Sequence, residues 1–102
     1  MLAKNNQGTS IEPNVETELV VWVSDGSRQL IGFCGTGSWS AEFRLYVGTD
    51  SDPWYVQQTS PAVRSAYVAD RGTKLPSGTR VVLKVYHEAP EAQLFKGTIL
   101  GG

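Results

Sequence analysis

The stretch Ser40-Ala41-Glu42-Phe43-Arg44-Leu45-Tyr46-Val47 decides the fold. Apolar and polar residues alternate along it without a break. Ala41, Phe43, Leu45 and Val47 share one face, and Glu42, Arg44 and Tyr46 the other. A period of two marks an extended strand with one face in a core and the other in water or against a partner. Arg80-Val81-Val82-Leu83-Lys84-Val85-Tyr86-His87 repeats the pattern, with Val81, Leu83 and Val85 opposite Val82, Lys84 and Tyr86.

Further strands are expected over residues 17–24, 28–34, 54–59, 64–69 and 94–100. Turn chemistry separates them. Asp25-Gly26 reads as a two-residue hairpin turn, because both positions tolerate positive φ. Gly35-Thr36-Gly37-Ser38 reads as a flexible connection. Asp70-Arg71-Gly72-Thr73 and Leu75-Pro76-Ser77-Gly78-Thr79 read as two further turns. No segment carries a 3.6-residue period. About seven short strands so spaced predict an all-β chain: a single antiparallel β-sandwich, immunoglobulin-like or jelly-roll, with a closed barrel sharing the same alternation. The inward set is expected to be Val21, Val23, Ile31, Phe33, Phe43, Leu45, Val56, Val68, Val81, Leu83, Val85, Phe95 and Ile99.

Residues 1–14 are polar and aperiodic, and are expected to form a flexible, extended N-terminal arm. A frayed tail and a segment that orders against a neighbouring subunit both fit. Residues 15–102 then form the sandwich domain. A chain of 102 residues is one domain by length and can bury a core without staples.

Nine Lys+Arg against ten Asp+Glu give a net charge of −1, scattered along the chain. Such a balance lacks the basic stripe that neutralises phosphates, so nucleic acid is not an expected partner. No apolar run reaches the length of a membrane helix, and residues 1–7 lack the apolar centre of a signal peptide. Synthesis in the cytoplasm and no membrane partner are therefore expected. The lone Cys34 cannot form an intrachain disulfide and reads as a small buried strand residue.

No motif for catalysis or phosphate binding is present. His87, beside Glu88 at the end of an alternating strand, reads as structural or surface-exposed rather than catalytic. Asp50-Ser51-Asp52 could offer oxygen ligands to calcium but lacks the rest of a calcium loop, and reads as an ordinary turn. No enzyme activity, cofactor or metal is expected. The aromatics carry more information. Trp39 sits in a Gly/Ser loop, Trp54 follows Pro53 at a strand start, and Tyr46 and Tyr86 point outward. Exposed aromatics anchor protein interfaces and stack on sugars. The candidate binding residues are thus Trp39, Trp54, Glu42, Arg44, Tyr46 and Tyr86.

A wider pattern runs from residue 32 to 101. A Gly-rich loop leads to Ala41-Glu42-Phe43-Arg44-Leu45-Tyr46-Val47, and a Gly/Asp turn to Val56-Gln57-Gln58-Thr59-Ser60. A leucine-to-glycine-threonine turn (Leu75 to Thr79), the strand 81–87 and a closing Phe95-Lys96-Gly97-Thr98-Ile99-Leu100-Gly101 follow. This order resembles small β-sandwich modules of tailed-phage virion proteins, those of capsid decoration, tails and fibres. The resemblance implies a non-enzymatic structural role in the virion, with other virion proteins and copies of the chain as partners and no catalytic residues to carry over. Carbohydrate-binding sandwiches share the pattern, which keeps a glycan-binding module, with host-surface glycan as its partner, as the alternative expectation.

Overall fold

The computed structural model describes residues 2–102. Among the described residues there are eight strands: β1 (Leu2–Ile11), β2 (Thr17–Val23), β3 (Gln29–Gly37), β4 (Glu42–Val47), β5 (Tyr55–Gln58), β6 (Ser65–Lys74), β7 (Arg80–Tyr86) and β8 (Gln93–Gly101). They form two four-stranded sheets, β1-β8-β3-β6 (sheet A) and β2-β7-β4-β5 (sheet B), and every ladder is antiparallel. This interleaved order is that of a jelly roll, the second of the two sandwich types expected.

The polar N-terminal stretch differs from expectation. Residues 2–11 are a paired edge strand of sheet A, with Leu2 opposite Gly101 and Ile11 opposite Gln93; Met1 lies outside the described residues. An edge strand needs few apolar side chains, which is why the sequence looked like an arm. Ile11 is fully buried, and Asn6 replaces an apolar residue by donating its side-chain N–H to the Leu19 carbonyl at 2.8 Å. That bond ties β1 to β2 across the sandwich edge. At the opposite edge the Tyr55 hydroxyl donates to Asp70, tying β5 to β6.

Three turn expectations are also corrected. β2 and β3 lie in different sheets, so Asp25-Gly26 is a corner between layers rather than a hairpin. Gly35-Thr36-Gly37 belongs to β3, and β6 runs on through Asp70-Arg71-Gly72-Thr73. There the Asp70 carboxylate accepts hydrogen bonds from the Gly72 and Thr73 N–H groups inside the strand.

The core lies between the sheets. Phe33, Phe43, Leu45, Val81, Leu83, Val85, Phe95 and Ile99 are buried as expected, and Val68 packs against them half-buried. Four expected members are displaced. A bulge between Glu18 and Val20 lets Leu19 and Val20 both turn inward. The alternation then resumes with Trp22 buried and Val21 and Val23 on the outer face, Val23 being 56% exposed. A second bulge, between Leu30 and Gly32, buries Leu30 and leaves Ile31 half-exposed. Val56 pairs with Arg44 on an edge strand and so faces outward.

Glycine sets how closely the sheets approach. Gly35 and Gly97 are register partners at the centre of sheet A. A Cβ on Gly35 would stand 2.4 Å from Phe43 Cε1, and one on Gly97 2.8 Å from Leu19 Cδ2. Side chains of sheet B therefore rest directly on the backbone of sheet A at this point.

His87 closes one end of the core at 1% exposure. Its Nδ1 accepts the Ala89 N–H (3.2 Å), so Nε2 carries the proton and donates to the Ile11 carbonyl (2.7 Å). The ring also lies 5.2 Å from that of Phe95. His87 is thus a tie between the ends of β1 and β7, consistent with the structural reading.

Candidate functional site

The outer face of sheet B brings together five of the six candidate residues. Glu42, Arg44 and Tyr46 alternate outward along β4, and Tyr86 of β7 stands opposite Glu42. Arg44 donates from Nε to Glu42 (2.7 Å) and from Nη1 to Glu16 (2.6 Å). Glu16 also accepts from the Tyr46 hydroxyl (2.7 Å) and pairs with Lys84 at 3.4 Å. The cations lie over rings: Arg44 over Tyr86 at 5.5 Å and Lys84 over Tyr46 at 4.7 Å. Arg80 and Glu18 add a further pair on this face.

These contacts shift how readily the groups titrate. The Arg44 hydrogen bond holds Glu42 below the usual carboxylate range. Burial pushes Glu16 up, but the bonds from Arg44 and Tyr46 and the charge of Lys84 outweigh it and hold Glu16 down as well. Burial, then the bond to Glu16, raises the Tyr46 phenol, and Arg44 is pushed up by its two carboxylates. A carboxylate held ionised by an arginine is a poor proton donor, so the arrangement suits binding and rigidity rather than acid–base chemistry.

A prediction follows from the direction of these shifts. Both glutamates release their protons more readily in the folded than in the unfolded chain. Their contribution is therefore complete above the unfolded value of about 4.3 and is lost as pH falls through the lower folded values. Arg44→Met is expected to cost about 1 kcal/mol near neutrality, the scale of a partly exposed network. It should also flatten the acid decline in urea midpoint below about pH 5. Equal acid slopes for wild type and variant would show that the network does not stabilise the fold.

Beside the network lies a polar groove of about 270 Å³ lined by Trp39, Glu42, Arg44, Gln58, Tyr86 and Glu88, among others. Trp39, 38% exposed, forms its wall from the loop before β4. Trp54 is not part of it. It lies alongside the C-terminal half of β4, its backbone N–H on the Leu45 carbonyl (2.8 Å) and its indole N–H on Asp50. The two tryptophans therefore form no common platform. Sequence reasoning missed Glu16, Gln58 and Glu88. Only the alternation of β4 and β7 signalled this face, and none of the three lies on those strands.

Sheet A presents a different outer face. A groove of about 510 Å³ crosses it, floored by Gly35 and Gly97 and flanked by Asn5, Thr36, Tyr67, Lys96 and Thr98. Cys34, expected to be buried, is half-exposed in this groove. Tyr67 on β6 and Leu94 on β8 are 64% and 63% exposed on the same face. No sequence signal marked it, because most of its side chains are short and uncharged and its strand neighbours are distant in sequence.

Among the described residues, no three His, Cys, Asp or Glu side chains converge as metal ligands. No protein-family model, curated protein or solved structure matches the chain.

Proposed function

We propose that the chain is a non-enzymatic assembly module, a structural component of a tailed-phage virion that docks on another virion protein through the outer face of sheet A. The observation that carries this reading is the contrast between the two outer faces. Sheet B's is crossed by Glu18, Glu42, Arg44, Arg80 and Lys84, largely satisfied by one another. The groove on sheet A has one charged side chain, Lys96, amid Thr, Ser, Cys and Gly, with Tyr67 projecting beside it. Interface centres are depleted of charge and enriched in tyrosine, and a face of short side chains lets a partner approach the backbone closely. Viral capsid domains use the jelly roll, an analogy of architecture that supports the reading without assigning it.

The test is retention on particles. Particles from cells carrying the gene are purified by density gradient, and the chain is followed by antibody. It is expected to co-sediment with them. Tyr67→Lys should lower its retention about tenfold, the effect of losing an interface hot spot. Arg80→Glu, on the opposite face, should leave retention unchanged. A chain found only in the soluble fraction, or a Tyr67→Lys variant retained like wild type, would overturn the proposal.

A further inference from the structure

The groove beside Trp39 holds polar groups that the fold leaves without partners. Among the described residues, the Tyr86 hydroxyl, the Glu88 carboxylate, the Gln58 side-chain carbonyl and the Trp39 indole N–H make no intramolecular hydrogen bond, whereas the Gln58 amide is committed to Glu42. The Trp54 indole N–H, by contrast, is occupied by Asp50. Donors and acceptors are thus mixed around one exposed aromatic face. That combination matches a sugar ring, which offers C–H groups to an indole and hydroxyls that both donate and accept.

Charge narrows the class. Glu42 and Glu88 face the groove against Arg44 alone, and Arg44 is already shared between Glu42 and Glu16. The net negative field disfavours phosphate, sulfate and acidic sugars. The volume of about 270 Å³ falls below the roughly 300–1,000 Å³ of drug-sized sites, which leaves room for one or two rings. We infer that the Trp39 groove binds a neutral saccharide, one or two rings at the end of a glycan. The site lies on sheet B and shares no residue with the docking face of sheet A, so it stands independently of that reading.

The experiment presents the intact chain to an array of immobilised neutral and acidic oligosaccharides and then titrates the strongest neutral binder in solution by tryptophan fluorescence. Binding to neutral members is expected. Trp39→Ala and Glu88→Gln should each weaken it about tenfold, the loss typical of a central contact. Trp54→Ala and Tyr67→Lys should leave it unchanged. Thermal midpoints establish that each variant is folded. Glu88 is exposed, so Glu88→Gln carries the test should Trp39→Ala fold poorly. No binding by the folded wild type, a preference for acidic members, or wild-type affinity in a folded groove variant would overturn the inference.

Discussion

Phe95→Ala is expected to destabilise the chain by about 4 kcal/mol in urea or guanidinium titration, within the roughly 3–5 kcal/mol range of buried Phe→Ala changes. Phe95 is fully buried, meets Phe43 edge-on at 6.1 Å and packs on His87. Truncation leaves a space walled by sheet B on one side and by the β3 backbone on the other. Neither can collapse without breaking a ladder, so the cavity contribution stays large. For a domain whose whole stability is on the order of 5–15 kcal/mol, this is a substantial fraction. The same geometry makes a sharper statement. A Cβ on Gly37 would stand 2.1 Å from the Phe95 ring, so Gly37→Ala alone should also destabilise the chain. In the Phe95→Ala background the new methyl enters vacated space. The double variant should therefore be at least about 1 kcal/mol more stable than the sum of the single losses implies. Strict additivity would mean that Gly37 is required for some reason other than the ring.

The reach of the sequence follows from which constraints are local. β4 and β7 were legible because each carries polar side chains on one face, and alternation records that directly. The same alternation placed Glu42, Arg44, Tyr46 and Tyr86 on one surface, where they meet. β2 was not legible in register, since its run from Leu19 to Val23 is apolar at every position. Trp22 reads as core from sequence and is buried, but only pairing with β7 shows where the bulge falls and that Val21 and Val23 stand outside that core. β1 escaped notice because an edge strand can substitute Asn6 and a hydrogen bond for apolar burial. Gly35 and Gly37 were read as flexibility, their usual meaning in isolation. Their actual constraint comes from Phe43 and Phe95, which no local pattern announces. The Trp39 groove was half visible: its tryptophan stood out, whereas Glu88 and Gln58 reach it from other segments.

Gly35→Ala is expected to cost about 3 kcal/mol, the upper end of the overpacking range, and more than Gly97→Ala at about 1–2 kcal/mol. The ranking rests on what each new methyl meets. At Gly35 it meets Cε1, Cδ1 and Cζ of Phe43 at 2.4, 2.7 and 2.9 Å. Phe43 is a rigid, fully buried ring held edge-on by Phe95, and it has no alternative place to go. At Gly97 the nearest atoms are the Cδ2 methyls of Leu19 and Leu83 at 2.8 and 2.9 Å, ends of side chains that can adjust by rotation. Equal losses, or a larger loss at Gly97, would show that the sheets yield as units rather than through individual side chains. The consequence reaches the surface. The two glycines that let Phe43, Leu19 and Leu83 press on sheet A from inside also floor the groove on its outside. A methyl at Gly35 that forces sheet A outward should make that groove shallower. Its retention on particles should then fall even at temperatures where the variant remains folded, as Tyr67→Lys does by a direct route. Unchanged retention by folded Gly35→Ala would separate the depth of the groove from its use.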